Sequence, residues 1–141
     1  MSAAGRAGGA VVRAFRRPRL WLAIWMFGWL LCIVLSLVRP PDLGVDVPDG
    51  DKLGHLLAYA LLSAWSVWLF ATRRARWASA LALVALGLAL EWAQGHLTAH
   101  RMMDPRDGIA NTLGVLLGQC AVFIGDGRAL QALDARLPAR S

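Results

Sequence analysis

The sequence predicts an all-α integral membrane protein, a bundle of four transmembrane helices with both termini in the cytoplasm. Of its 141 residues, 57% are hydrophobic and 17% are charged, whereas soluble domains average about a quarter charged. The apolar residues fall into four long runs, and the cationic residues cluster at the ends of these runs, as they do in membrane proteins. The apolar excess excludes a disordered chain, and two Cys exclude a disulfide framework.

Each apolar run is long enough to cross the hydrocarbon core of a bilayer as a helix. At ~1.5 Å per residue, the runs cover roughly 25 to 32 Å, about the thickness of that core. Backbone amides in lipid must be hydrogen-bonded within the segment, which favours helices over open strands. The four predicted spans are residues 20–38, 53–71, 77–97 and 109–125.

The first run follows a basic stretch, as a secretory signal would. Its length exceeds the ~7 to 15 apolar residues of a cleavable signal, and Ser36 to Pro40 does not provide a small-x-small cleavage site. We therefore expect an uncleaved anchor. Pro40 and Pro41 end this helix.

The remaining connections are short and polar. Residues 72–76 are expected to form a tight basic hairpin, residues 98–108 a polar connection and residues 126–141 a mixed-charge tail. The predicted organisation is a basic cytoplasmic arm (1–19), a transmembrane domain (20–125) and a cytoplasmic tail (126–141).

The distribution of positive charge predicts the orientation. The arm, the connection at 72–76 and the tail carry eleven of the 15 Lys and Arg residues, and the other side carries four of them together with six Asp. The positive-inside rule then places both termini in the cytoplasm. Because this charge does not form a face interleaved with base-stacking aromatics, no nucleic-acid partner is expected.

Polar residues inside the predicted spans gather at one depth, near the end away from the cytoplasm. Residues four apart share a helix face, and three helices contribute such polar positions. They are Asp51, His55 and Tyr59 on the second helix, Glu91 and Gln94 on the third, and Asp107, Asn111, Gly114 and Gly118 on the fourth.

Glu91 is the only Glu in the chain and falls within a predicted span. An ionised carboxylate there costs on the order of 3 kcal/mol unless it is paired, protonated or in contact with water. The candidate partners are His55, Lys52 and Arg101 as cations and Tyr59 as a neutral group. A structural ion pair between helices and a functional site are both compatible with this pattern.

Gly114 and Gly118 form a GxxxG pair, which permits close approach of another helix backbone. Packing within the bundle is sufficient to explain the pair. Dimerisation is the alternative, and the sequence does not predict the oligomeric state.

The ordered set of polar motifs resembles the VanZ-like family of small bacterial membrane proteins. The motifs, which extend from Asp51 to Gly118, are Asp51-Lys52-x-x-His55, then Glu91-x-x-Gln94, then Arg101-x-x-Asp104-x-x-Asp107-x-x-x-Asn111-x-x-Gly114-x-x-x-Gly118. The resemblance implies a multi-pass protein of the bacterial cytoplasmic membrane and cell envelope. The family is named for a member associated with resistance to the glycopeptide antibiotic teicoplanin.

Two functional hypotheses use these residues. In the first, an outer pocket binds a lipid-linked envelope component or an amphiphilic glycopeptide-type antibiotic, with Arg101 and Lys52 on phosphate or carboxylate groups. In the second, Glu91 and His55 are the acid and base of an enzyme acting on a lipid-linked phosphate or glycosyl group. The expected ligand-binding residues are Asp51, Lys52, His55, Tyr59, Glu91, Gln94, Arg101, Asp104, Asp107 and Asn111.

Two further alternatives remain. The polar residues could serve folding alone, in a purely structural bundle. A metal site is a weak possibility that rests on His96 and His100 at helical spacing after Glu91. We expect no metal and no cofactor from the sequence, because His100 falls in a loop and no Cys is close. The sequence also lacks the GxSxG, HExxH and Gly-rich phosphate-loop signatures of known enzyme classes.

Overall fold

The computed structural model describes residues 10–38, 50–97, 104–125 and 127–138. Within these ranges the regular structure is helical, with one isolated antiparallel bridge between Val12 and Phe70. The helices are α1 (Pro18–Leu37), α2 (Gly50–Leu69), α3 (Arg73–Leu97), α4 (Pro105–Gln119), α5 (Ala121–Ile124) and α6 (Arg128–Arg136). The predicted all-α class is confirmed.

Three helical segments are long and apolar enough to cross a membrane, namely α1, α3 and the segment Pro105–Ile124 that comprises α4 and α5. α2 has the length of a span, with 20 residues, but is less apolar. Its first two turns contain Asp51, Lys52 and His55, which lower its hydropathy. The sequence predicts four spans, and length and composition of the described helices support three.

α2 lies at the centre of the bundle. It packs against α1, α3 and α4, and its contact with α4 is the most extensive between any two described helices. Its buried positions include Tyr59, Ser63 and Ser66, whereas α1 and α3 expose large apolar side chains such as Phe27, Leu35 and Leu81. The buried polar groups of α2 therefore face protein, while exposed apolar side chains lie on α1, on α3 and also on α2 itself, for example at Leu57 and Leu61.

Two glycines allow α4 to approach the backbone of α2. A Cβ atom at Gly114 would overlap the carbonyl oxygen of Leu56, and one at Gly118 would overlap that of Ala60. Small residues permit this close approach in membrane helices. The GxxxG pair thus packs against another helix of the same chain, which is the simpler of the two explanations that the sequence allows.

Ser63 links the same two helices by hydrogen bonds near the middle of the bundle. Its Oγ donates to the carbonyl oxygen of Val115 over 2.7 Å and accepts a bond of 2.9 Å from Nε2 of Gln119. A hydroxyl at this depth requires a partner because no water replaces it. The sequence analysis did not identify this connection.

The tryptophans of α1 pack into the core at the end of the bundle where this helix begins. Trp21 and Trp25 are buried, and Nε1 of Trp25 donates to the carbonyl oxygen of Leu62 over 3.0 Å. The ring of Trp25 also contacts Trp29 and Phe70 edge to face, with centroids 5.4 Å apart in each pair. Spacing of four residues places these rings along one helix face.

The connection between α2 and α3 is shorter than the basic hairpin predicted at 72–76. Thr72 Oγ1 accepts the backbone N–H of Ala75 over 3.2 Å and caps α3, so the arginines that follow belong to its first turn. Arg76 donates from Nε to Phe70 and from Nη2 to Ala71, whose carbonyl oxygens follow the end of α2. The cation thereby satisfies acceptors at a helix C-terminus.

The predicted C-terminal tail contains a helix, α6, which the sequence analysis did not identify. α6 begins after Gly127, whose φ of 86° favours glycine. Leu130 and Asp134, four residues apart, are buried on one face of this short helix. Its exposed positions combine Arg128 and Arg136 with apolar residues such as Leu133, and its nine residues are fewer than the roughly 11 to 18 over which helical periodicity is read from a sequence.

Residues 10–17 of the N-terminal arm are docked at the same end of the bundle. The backbone N–H of Arg13 donates to Leu69 over 3.0 Å, and that of Ala71 donates to Val11 over 2.9 Å. Gln131 of α6 donates to the carbonyl oxygen of Ala14. The arm, the connection between α2 and α3, and α6 therefore share one end, which we call the terminal end.

Asp134 joins the arm, α1 and α6. Its buried carboxylate accepts Nε1–H of Trp21 over 2.9 Å and the backbone N–H of Arg16. Burial alone would raise the pKa of Asp134, but the hydrogen bonds from Trp21 and the Arg16 backbone outweigh it and lower the pKa. The ionised form is thus the one that the fold stabilises.

We expect Asp134→Ala to lower the free energy of unfolding by about 1–3 kcal/mol, because two donors lose a buried acceptor. Thermal unfolding in detergent, followed by circular dichroism, measures this change. The control is Gln131→Ala on the same helix, whose bond to Ala14 is exposed and whose loss should cost no more than about 0.5 kcal/mol.

The stabilisation by Asp134 should also depend on pH in one direction. A carboxylate with a lowered pKa stabilises the fold above its unfolded value of about 3.9, and the contribution disappears as the pH falls through the lower folded pKa. The wild type should therefore lose more stability on acidification than Asp134→Ala does. Identical acid dependence of the two proteins would contradict the role of this carboxylate.

A second prediction concerns the contact between α2 and α4. Gly114→Ala should lower the free energy of unfolding by about 1–3 kcal/mol, because the new Cβ overlaps the Leu56 carbonyl. Gly54→Ala on α2 is the matched control, since no heavy atom lies within 4 Å of the added Cβ and alanine raises helix propensity by about 1 kcal/mol. Equal melting temperatures for both variants would exclude a tight contact at Gly114.

Candidate functional site

The start of α2, the end of α3 and the start of α4 meet at the other end of the bundle, which we call the polar end. α4 begins here because Asp104 caps it: its Oδ1 accepts the N–H of Arg106 over 2.9 Å, and Pro105 occupies the first helical turn. Asp107, in the same turn, donates its backbone N–H to the Asp104 carbonyl. The capped turn fixes the two Asp side chains relative to each other.

Lys52 on α2 connects this turn to the neighbouring helix. Its Nζ lies 3.5 Å from Oδ2 of Asp104, 4.0 Å from Oδ1 of Asp107 and 3.6 Å from Oδ1 of Asp51. The N–H of Arg106, and then the charge of Lys52, lower the pKa of Asp104. One ammonium group is thus shared by acids of two helices.

Glu91 on α3 is directed into the bundle. Only 5% of the residue is exposed, and its Oε2 accepts the backbone N–H of Asp104 over 3.2 Å. This N–H belongs to the N-cap of α4, where the helix dipole favours negative charge. The polar environment that the sequence requires for this carboxylate is provided by α4.

His55, Glu91 and Asp107 bring their side chains together from three different helices. His55 Nε2 lies 3.8 Å from Oδ2 of Asp107. One ligand atom from each of the three residues lies within 4.8 Å of the others, which is a grouping that could hold a metal ion. We call these three residues, together with Lys52 and Asp104, the polar cluster.

Gln94 and Asn111 extend the polar contacts toward α1 and α3. Gln94 Nε2 donates to the carbonyl oxygen of Ser36 over 2.7 Å, near the end of α1. Asn111 is 2% exposed and packs against Gly87, where an added Cβ would lie 3.1 Å from the Asn111 Cβ and Nδ2 atoms. Gln94 therefore joins α3 to α1 by a hydrogen bond, whereas Asn111 fills the space beside Gly87 and its Oδ1 has no hydrogen-bond partner among the described residues.

A cleft of about 210 Å³ lies between α1 and α2 beside the cluster. His55 lines the cleft and also belongs to the polar cluster, so the cleft leads to the cluster from the side of α1. Most of its surface is apolar in residue type, with polar groups from Ser36, Asp51 and His55. Its lining residues are Cys32, Leu35, Ser36, Asp51, Gly54, His55 and Ala58.

The structure brings most of the sequence-predicted site residues into this region. Asp51 is on the cleft wall with its side chain 52% exposed, whereas Tyr59, on the same helix face, is fully buried. The Tyr59 hydroxyl lies beside the Cys32 thiol of α1, and Tyr59 does not line the cleft. Arg101 lies outside the described residues.

Several residues around the site are not among those predicted. Cys32, Leu35 and Ala58 line the cleft, and Gly87 admits Asn111. The first three are apolar and carry no pattern that separates a cleft wall from lipid contact. Gly87 is a small residue within a long apolar helix, and this feature of the sequence indicates a close contact with a neighbouring helix.

The histidine pair weighed as a metal site differs from the grouping in the structure. His96 is exposed and stacks on Trp92, with ring centroids 4.6 Å apart, while His100 lies outside the described residues.

Comparison of this chain with models of known protein families, with curated proteins and with solved structures finds no match.

The shared ammonium of Lys52 generates a prediction about the cluster. Lys52→Met should lower the free energy of unfolding by about 1–3 kcal/mol, because the carboxylates of Asp51, Asp104 and Asp107 lose a cation within 4.0 Å. In that background Asp107→Asn should cost less than in the wild type, with a coupling energy of about 0.5–3 kcal/mol. Thermal unfolding of the four proteins in detergent measures this cycle.

Arg106→Met is the matched control for loss of a cation, since Arg106 is exposed on the same capped turn. Its melting temperature should stay close to that of the wild type. Strictly additive effects of Lys52→Met and Asp107→Asn would show that the ion pair does not contribute to the cluster.

Proposed function

We propose that the chain is a VanZ-like protein of the bacterial cytoplasmic membrane that binds the head group of a lipid-linked envelope component at its polar end. In this proposal all four long helices span the bilayer, both termini are cytoplasmic and the polar end faces outward. The observation that carries the proposal is the cleft between α1 and α2, which is bordered by His55 of the polar cluster.

The lining of the cleft suits an amphiphile. Leu35, Gly54 and Ala58 can contact a hydrocarbon segment, while Ser36, Asp51 and His55 offer polar contacts nearby. Leu35 is 62% exposed on the surface of α1, so the cleft is continuous with the side of the bundle that would face lipid. A lipid could therefore enter the cleft sideways from the membrane while its hydrocarbon chain stays in the bilayer.

The size of the cleft favours one part of such a ligand. Pockets for whole small molecules usually measure about 300–1,000 Å³, and this cleft has about 210 Å³. That space accommodates a phosphate group with a short chain segment rather than an entire glycopeptide antibiotic. Lys52 is the described cation closest in sequence to the cleft residues and would attract the phosphate.

An enzymatic role is the second candidate, and the contact between His55 and Asp107 favours it. A carboxylate that accepts a hydrogen bond from a histidine orients the ring for proton transfer, and the two groups lie 3.8 Å apart here. The buried Glu91 completes an acid–base set within 4.8 Å. In this role Glu91 and His55 would act on a lipid-linked phosphate or glycosyl bond.

Filling the cleft tests the binding proposal. Gly54→Leu should weaken binding of a polyprenyl phosphate at least about tenfold, because the added side chain occupies space that is open in the wild type. Native mass spectrometry of detergent-solubilised protein, with phosphatidylethanolamine as the competing lipid, measures the bound fraction. A glycopeptide antibiotic serves as the second probe.

The control is Leu57→Phe, which changes an exposed residue of α2 that does not line the cleft and should bind the polyprenyl phosphate as the wild type does. Equal binding by wild type and Gly54→Leu would overturn the assignment of the cleft. If the wild type converts the polyprenyl phosphate to a product and Glu91→Gln does not, the enzymatic role replaces the binding role. If the wild type binds neither probe in preference to phosphatidylethanolamine, the chain is better described as a purely structural bundle.

A further inference from the structure

His55, Glu91 and Asp107 bring one potential metal-ligand atom each from three helices to within 4.8 Å of one another. His55 Nε2 and Asp107 Oδ2 are 3.8 Å apart, which exceeds the length of a hydrogen bond. Ligand bonds of 2.0–2.2 Å at a tetrahedral ion separate neighbouring ligand atoms by about 3.4 Å. Small side-chain rotations would bring the three ligand atoms, now within 4.8 Å of one another, to that separation.

Asp107 provides an independent observation. The residue is only 7% exposed, and its Oδ1 accepts no hydrogen bond from any described residue. Lys52 Nζ lies 4.0 Å from this oxygen, beyond hydrogen-bonding distance. A buried carboxylate oxygen without a close donor is costly, and a cation bound between Asp107 and Glu91 would remove that cost.

Lys52, whose Nζ lies 4.0 Å from Asp107, offsets part of the negative charge at this position. Two carboxylates, Glu91 and Asp107, approach each other at a depth where both are nearly excluded from solvent. Like charges at this separation repel each other more strongly in a medium of low dielectric than in water. A divalent cation neutralises both groups and uses the lone pair of the neutral imidazole as its third ligand.

Neighbouring groups already orient the ligands as outer partners of metal sites do. Glu91 Oε2 receives the N–H of Asp104, and Asp107 lies in the turn that Asp104 caps. Hydrogen bonds to ligand carboxylates fix their direction and influence metal affinity. The cluster is therefore held by backbone of α4 rather than by mobile side chains alone.

The ligand set indicates the class of ion. One imidazole nitrogen and two carboxylate oxygens suit zinc and other first-row divalent ions better than thiolate-seeking metals. Three protein ligands leave at least one coordination position for water or an added ligand. Because His55 also borders the cleft, this open position would be adjacent to the proposed lipid site.

We propose that His55, Glu91 and Asp107 bind one divalent transition-metal ion of the zinc class between α2, α3 and α4. This site does not depend on the proposed lipid function, and the ion can bind whether or not a lipid occupies the cleft. It differs from the pair of His96 and His100, which the sequence suggested as the alternative.

Cobalt titration tests the proposal with the metal as the sole probe. Chelator-treated wild-type protein in detergent should take up one equivalent of Co²⁺ with visible d–d absorption, and Zn²⁺ should displace it. His55→Ala and Asp107→Asn should each weaken this uptake at least about tenfold. His96→Ala is the matched control, because His96 is an exposed histidine outside the grouping, and it should bind as the wild type does.

The proposal is overturned if the wild type takes up no Co²⁺, or if His55→Ala and Asp107→Asn bind Co²⁺ as tightly as the wild type does. Circular dichroism and size-exclusion chromatography check that each variant is folded. X-ray absorption of the Co²⁺-loaded wild type gives a second measurement that needs no variant. One imidazole with oxygen ligands is expected, and a thiolate from Cys32 or two imidazoles would contradict the assignment.

Discussion

The burial of two carboxylates at the junction of three helices is the constraint on which the polar end of this protein depends. Glu91 and Asp107 are each less than one-tenth exposed, and neither can remain ionised among apolar helices without nearby donors or cations. The capped start of α4 supplies an N–H to Glu91, and α2 supplies Lys52 and His55. The start of α4 must therefore lie against both α2 and α3, and this requirement fixes how the helices meet.

The close contact between α2 and α4 follows from the same constraint. Lys52 and His55 reach Asp107 only when the two backbones are near, and Gly114 and Gly118 permit that approach along the following turns. α2 then has protein on most sides, so its polar residues need not face lipid. Its lower apolarity compared with the other long helices is a consequence of this central position and does not argue against a place in the bundle.

Residue spacing could predict the elements of the site because helical periodicity is a local property. The positions of His55, Glu91 and Asp107 on their helices follow from spacing and depth alone. Which groups touch depends on helix rotation, and spacing could not show that Tyr59 is sealed in the core while Asp51 is half exposed. α6 was missed for a related reason: its burial depends on tertiary contacts of Asp134 with the arm and α1, which leave no pattern in a nine-residue segment.

The two ends of the bundle are held together by different kinds of contact, and this difference bears on where a ligand can bind. At the terminal end, backbone pairing, buried indoles and the Asp134 carboxylate close the structure over the ends of α1 and α2. At the polar end, ion pairs of 3.5–4.0 Å accompany hydrogen bonds such as that from Gln94 to Ser36, and a cleft remains beside His55. Groups that are only loosely paired can exchange a partner for a ligand at modest cost. A rigid terminal end therefore allows the polar end to remain open without loss of the fold.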